Sequence, residues 1–400
     1  MPLQLFDMAK HQKLLKRRNF LISLGALAAI GSGIGWRRLK SYTQALAVDN
    51  PMRNFHVAND LPLRRRVTTK GLIYGAYTET DHKVFSQNQT LQSSFVQECG
   101  LLLGGFYWGI IRPNATDFDF SQTDYFANFA SENGMLFRGH PLIWHDFPPD
   151  WLNERFKSAK TTPREIRDIF TTHISTVVKR YAGRIHSWDV VNEVVHLDDG
   201  RRDGLRTSPW LKFVGPDYIE LAFKTAASAD PNALLVYNEN YLEYDTREYD
   251  AKRDAVLKLL EHLKSKRTPV HALGIQSHLL AHETRFHPNK LRKFLADVAN
   301  LGLKIMITEL DVIDAELPAD IKVRDRIVAS TYEDYLSVVL DEPAVIAVIT
   351  WGLSDKYTWL SEAAPRPDGR AVRPLPLDSN FERKLAWNAI ARAFDNAPKR

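Results

Sequence analysis

Eight short apolar or β-branched runs recur between residues 72 and 351, and amphipathic segments separate them. The runs cover residues 72–77, 101–106, 136–143, 185–191, 234–237, 272–275, 304–308 and 345–351. Runs of this length read as buried strands, and the intervening periodic segments read as helices. The clearest helix covers 162–181. Thr162 can cap it, Pro163 suits the first helical position and Glu165 completes a capping box. Ile166, Ile169, Phe170, Ile174, Val177, Val178 and Tyr181 then keep one apolar stripe before Gly183. With right-handed crossovers, eight such units close most economically as a single parallel (β/α)8 barrel, a TIM barrel of the α/β class. A doubly wound open sheet is the alternative, but no glycine-rich phosphate loop follows the first run. The Pro- and Arg-rich residues 363–376 read as a loop after the eighth strand, and residues 378–393 as the closing helix.

The N-terminus stands apart from this pattern. KRRNFLI places Arg17 and Arg18 before the apolar run 20–36, and Ala45-Leu46-Ala47 offers a small-x-small cleavage site before Val48. Arg17, Arg18, Phe20 and Leu21 resemble a twin-arginine signal, which implies the twin-arginine export machinery as partner and a periplasmic or extracellular location. Residues 1–47 are therefore read as export signal and linker, and 48–400 as the folded barrel domain. Arg37, Arg38 and Lys40 after the apolar run keep a membrane tether as the alternative. The net charge of +5 owes much to this basic end, so it is no footprint of nucleic-acid binding. The single cysteine, Cys99, excludes an intrachain disulfide and reads as a buried structural thiol. A monomer is expected.

Polar and aromatic residues gather where the runs end. The third run ends in GHPLIWH, with His140, Trp144 and His145. The fourth ends in Asn192 and Glu193, and the fifth in Asn238. The sixth ends in Gln276 and His278, the seventh in Glu309 followed by Asp311, and the eighth in Trp351 with Trp359 beyond. Chemistry in such barrels sits at the C-terminal ends of the strands, so two glutamates in matched contexts form a candidate carboxyl pair for glycoside hydrolysis. Amides, imidazoles and indoles around them suit a sugar, which offers hydroxyls at its edge and C–H faces to rings. A metal hydrolase competes for the same fold. Its ligand signatures are missing and the rim histidines lie on different strands, so neither metal nor cofactor is expected. Trp151, Trp210 and Trp387 read as packing residues.

From about Gly71 to the C-terminus the chain resembles glycoside hydrolase family 10, the retaining endo-β-1,4-xylanases. GHPLIWH is similar to the family's GHTLVWH, and WDVVNEV, YNENY, GIQSHL, ITELDV and TWGLSD follow in family order. The resemblance implies a polysaccharide substrate of xylan type, Glu193 as acid/base and Glu309 as nucleophile. It implies that Asn192 holds a sugar 2-hydroxyl, and that His140, Trp144, Gln276, His278, Trp351 and Trp359 line the glycone side or support the nucleophile. Asn238 and Asp311 match supporting positions, as does His145. A general acid must be protonated at working pH, so burial or the charge of Glu309 is expected to raise the pKa of Glu193. One motif departs. Where the family carries ENxxKW, this chain reads LGGFYW, with Leu103, Gly104 and Tyr107 at the three polar positions. The expectation is a wider, less polar floor beside the sugar preceding the scissile bond, favouring decorated or non-xylose β-glycans over plain xylan. A non-catalytic glycan-binding barrel is the alternative from another class.

Overall fold

The computed structural model describes residues 49–78 and 80–400, so the N-terminal signal reading lies outside the described residues. Nine strands are present among them: β1 (Ile73–Tyr77), β2 (Leu101–Gly105), β3 (Leu136–His140), β4 (Ser187–Asn192), β5 (Leu234–Glu239), β6 (Ala272–Ile275), β7 (His278–Leu280), β8 (Lys304–Ile313) and β9 (Val345–Thr350). All pair in parallel. The strand order runs β6-β5-β4-β3-β2-β1-β9-β8, and β6 also pairs with β8, so eight strands close into a barrel. β7 is a short extra strand on the far half of β8, where His278 faces Asp311.

Apolar packing divides into an inner and an outer layer, as strands with alternating side chains require. Leu101, Leu103, Val236, Ala272, Met306, Ala347 and Ile349 fill the barrel's interior, and Trp351 covers them at the C-terminal end. A larger cluster fills the space between sheet and helices. The helix Pro163–Arg180 belongs to that layer and forms as its sequence demands. Thr162 Oγ1 accepts from Glu165 N at 3.2 Å, and Ile166, Phe170, Ile174, Val177 and Val178 are buried. The Glu165 carboxylate turns instead to Arg155, 3.1 Å away.

One boundary differs from expectation. The last helix is Leu385–Asn396, not a helix from residue 378. Asp378 Oδ1 accepts from the backbone of Asn380 and Glu382, Phe381 takes φ 66°, and Leu377 bridges Arg383 antiparallel. This segment is a tight turn, because an aspartate that binds its own following amides competes with helix formation.

Candidate active site

Both candidate carboxylates emerge where the parallel ladder slips. Asp189 pairs with Val236, but Asn192 pairs with Asn238, so β4 carries one extra residue against β5. Side chains alternate along a strand, and one extra residue returns Asn192 to the inner face that Asp189 occupies. Glu193 follows with φ 55°, a left-handed conformation that costs a non-glycine residue roughly 1–2 kcal/mol. The turn is held from both sides. Glu193 N donates to Asn238 O at 3.0 Å, and Arg206 Nε donates to Glu193 O at 2.7 Å. A second slip lies in β8, where Ile307 pairs with Val348 and Leu310 with Thr350. Two residues there face one on β9, so Thr308 turns into the barrel while Glu309 reaches the mouth.

A single cluster of amides touches both carboxylates. Asn238 Nδ2 donates to Glu309 Oε1 at 2.7 Å and to Asn192 Oδ1 at 3.0 Å. Gln276 Nε2 donates to Asn192 Oδ1 at 3.2 Å and to Glu193 Oε1 at 3.1 Å. Thr308 Oγ1 donates to Asn238 Oδ1 at 2.6 Å, which fixes the direction of that amide. Gly274 makes this possible. A Cβ there would stand 2.3 Å from Asn238 Oδ1.

Glu309 is 4% exposed and supported on two further sides. His278 places Nε2 3.1 Å from Glu309 Oε2 and Nδ1 2.9 Å from Asp311 Oδ1, and Trp359 Nε1 donates to Asp311 Oδ2 at 2.8 Å. Burial opposes a charge on His278, but Asp311 and Glu309 outweigh it and hold its pKa well above the ordinary range. The imidazolium then donates from both nitrogens. Opposite, His140 Nδ1 lies 3.8 Å from Glu309 Oε1 and 2.8 Å from Asp189 Oδ2. Asp189 Oδ1 in turn receives Arg138 Nη2 at 2.5 Å, with both side chains wholly buried. Trp351 packs edge-on to both histidines, with ring centroids 5.2 Å and 6.2 Å away.

Glu193 has the more exposed carboxylate, at 15% of its side chain, and Arg206 Nη2 lies 3.8 Å from Oε2. Here the expected rise in pKa is opposed by neighbours. Burial pushes its pKa up, but His145, Arg206, Gln276 and Trp144 outweigh burial, and the net direction is below the usual carboxylate range. The contribution of His145 needs a charged ring. Burial and the charge of Arg206 hold the His145 pKa at about 3, so above that pH the ring is neutral and only the other three oppose burial.

The ten side chains assigned to catalysis or substrate binding gather at the strand ends, with His145 and Asp311 directly behind. Sequence reasoning missed Arg138, Asp189, Thr308 and Arg206. Period-two alternation could have found one of these, since Arg138 lies two residues before His140 on β3, whereas Asp189 shares the inner face with Asn192 only through the slip in β4. Glu239, the glutamate in YNENY, is buried and fully engaged: Val195 N and Tyr237 OH donate to Oε2, and Lys252 lies 2.9 Å from Oε1. It ties down the loop after β4.

The departing motif is also corrected. Leu103 is fully buried inside the barrel and borders no cleft. Gly104 faces outward, where a Cβ would stand 2.8 Å from the Phe137 ring, so no widened floor results. Only Tyr107 reaches the mouth, with ring centroids 5.9 Å from His140 and 6.1 Å from Trp144. Tyr77, at the end of β1, stacks on Trp351 at 4.2 Å. The strand-end rule applied to β1 would have pointed to it.

Fold and carboxyl pair together define the class of (β/α)8 glycoside hydrolases. The chain belongs to glycosyl hydrolase family 10, whose profile matches residues 63–393. Endo-1,4-beta-xylanase B of Thermotoga neapolitana is 34% identical over 292 residues, which are 73% of this chain and 79% of the relative. Beta-1,4-xylanase of Dictyoglomus thermophilum is 35% identical over 294 residues, 71% of this chain and 78% of the relative. Among solved structures, native xylanase 10B from Thermotoga maritima superposes with a TM-score of 0.74 at 30% identity, covering 84% of this chain and 98% of that one. Xylanase 10B from Thermotoga petrophila RKU-1, in complex with xylobiose, gives 0.75 at 29% identity, covering 85% and 99%. This chain is thus a xylanase-like glycoside hydrolase.

Proposed function

We propose that the protein hydrolyses β-1,4-linked polysaccharide of xylan type with retention of configuration, after export from the cytoplasm, with Glu309 as nucleophile and Glu193 as acid/base. The observation that carries the assignment is the difference between the two carboxylates. Glu309 takes hydrogen bonds on both oxygens, from Asn238 and the imidazolium of His278, which hold its carboxylate in one orientation at the mouth, as a nucleophile needs. Glu193 keeps an exposed edge and neighbours that pull its pKa in opposite directions.

In the first step a Glu309 oxygen bonds to the anomeric carbon as the bond from that carbon to the leaving oxygen breaks. Glu193 gives that oxygen its proton. A sugar over the site covers the exposed edge of Glu193 and strengthens burial, the largest single influence on its pKa, so the acid form gains in the complex. In the second step Glu193 takes a proton from water, whose oxygen bonds to the anomeric carbon and releases the Glu309 carboxylate. Esterified Glu309 carries no charge, which eases the ionisation of Glu193.

The test is Glu309→Ala on an activated aryl β-xyloside. Turnover should fall by about 10⁴-fold or more with an unchanged melting curve. Azide should restore part of it and yield the α-glycosyl azide, whereas Glu193→Ala with azide should yield the β-anomer. Near-wild-type turnover in folded Glu309→Ala would refute the assignment. Reducing-sugar release and pull-down on a polysaccharide panel separate a hydrolase from a barrel that only binds glycan.

A further inference from the structure

The inner face of the mouth between β9 and β3 is occupied by rings. Trp351 directly follows β9, Tyr77 ends β1, Gly105 ends β2 and His140 ends β3. The Tyr77 ring lies 4.2 Å from Trp351 with 20° between planes, which leaves no room for a sugar between them. Its hydroxyl reaches across to Gly105, where a Cβ would stand 3.1 Å away. From the other side Tyr107 closes on the same residue, its Cε2 2.9 Å from that Cβ position. Any side chain at residue 105 would therefore push the two tyrosines aside. Tyr107 then continues past His140 to Trp144 and Phe147, at 5.9 Å, 6.1 Å and 5.9 Å between centroids.

This arc belongs to the nucleophile's side of the pair. His140 and His278 both lie beside Glu309 and pack edge-on to Trp351, whereas Gln276, Arg206 and His145 stand at Glu193, and Trp144, at the far end of the arc, reaches Glu193 as well. A sugar under attack sits over Glu309 with its leaving oxygen at Glu193. The rest of the glycone must leave that sugar on the side away from Glu193, toward Tyr77 and Tyr107.

We infer that Tyr77 and Tyr107, meeting over Gly105, wall off the glycone side so that one sugar is held there, and cleavage falls on the bond nearest the non-reducing end. The inference rests on the hydrolase reading above. It makes the two tyrosines specificity-determining residues with no part in bond breaking.

The test compares 4-nitrophenyl β-xyloside with 4-nitrophenyl β-xylobioside, and maps the bonds cut in xylohexaose labelled at its reducing end. For the wild type, kcat/KM for nitrophenol release should be at least tenfold higher on the xyloside than on the xylobioside, whose second xylose has no place beyond the wall, and xylose should be the first product from xylohexaose. Tyr77→Ala with Tyr107→Ala should raise the xylobioside-to-xyloside ratio at least tenfold and move cleavage to internal bonds. Each single variant, with a melting curve, guards against loss of fold in the double. Wild-type preference for the xylobioside by tenfold or more, or internal cleavage of xylohexaose, would overturn the wall while leaving the hydrolase reading intact. Hydrolysis of neither aryl glycoside by folded wild-type protein would overturn both.

Discussion

At the scale of residues, Glu193 has to be an acid in one step and a base in the next, and Arg206 is the permanent charge that bears on that exchange. Its guanidinium lies 3.8 Å from the carboxylate and also grips the Glu193 carbonyl oxygen at 2.7 Å. A nearby cation favours the carboxylate and so lowers the pKa. A general acid works only while protonated, so a lowered pKa moves the basic limb of the pH profile down, and removal of the cation moves it up. Arg206→Met should therefore shift the basic limb of kcat to higher pH. Arg206→Lys, which keeps charge but loses the planar grip, should leave the limb near its wild-type place while lowering kcat through a looser Glu193 turn. A profile unmoved in folded Arg206→Met would remove Arg206 from the control of this acid.

At the scale of elements, β3 and β4 carry a buried charge pair into the barrel, and the site depends on it. Arg138 Nη1 donates to Ser187 Oγ at 2.8 Å and Nη2 reaches Asp189, which in turn orients His140 beside Glu309. Breaking a buried pair from one side leaves an uncompensated charge, which costs about 3–5 kcal/mol. Arg138→Met should lose that much stability in urea unfolding at neutral pH, and adding Asp189→Asn should recover a large part. An additive double variant would mean that the two charges do not support one another. These elements also show what the sequence disclosed. All eight barrel strands were legible, because strands covered on both faces are apolar runs with little ambiguity of length. The two slips that aim Asn192 and Glu309 were not, since an extra residue in a ladder changes no composition. β7 was hidden where GIQSHL runs into Leu280, three residues that extend a pairing only the fold supplies. Leu103 and Gly104 were misplaced for a related reason. Alignment to a motif gives an order of positions, and which face each takes is fixed by register with β1 and β3.

At the scale of the whole molecule, the chain is already docked on the barrel at the start of the described residues. Asp49 pairs with Arg326 at 2.7 Å, Arg53 pairs with Glu333 at the same distance, and Leu63 is fully buried. We propose that residues 1–47 act as an address and 48–400 as the folded cargo. The arginine pair Arg17 and Arg18 stands directly before an apolar run, and Cys99 is buried with no partner thiol in the chain. A cargo that forms no disulfide loses nothing by folding before export, which suits a route read by a receptor for the arginine pair. Lysine matches arginine in charge but not in its planar, five-donor head, so a receptor that reads the pair distinguishes them. Arg17→Lys with Arg18→Lys should hold active enzyme in the cytoplasm, with xylosidase activity in lysates undiminished and activity outside reduced at least tenfold. Fractionation with a cytoplasmic marker measures it. Unchanged export of the double variant would point to a route that reads only charge and hydrophobicity. Mass spectrometry of the exported wild-type chain completes the test: a mature N-terminus at Val48 fits a cleaved signal, and a chain still carrying Lys16 identifies residues 20–36 as a tether.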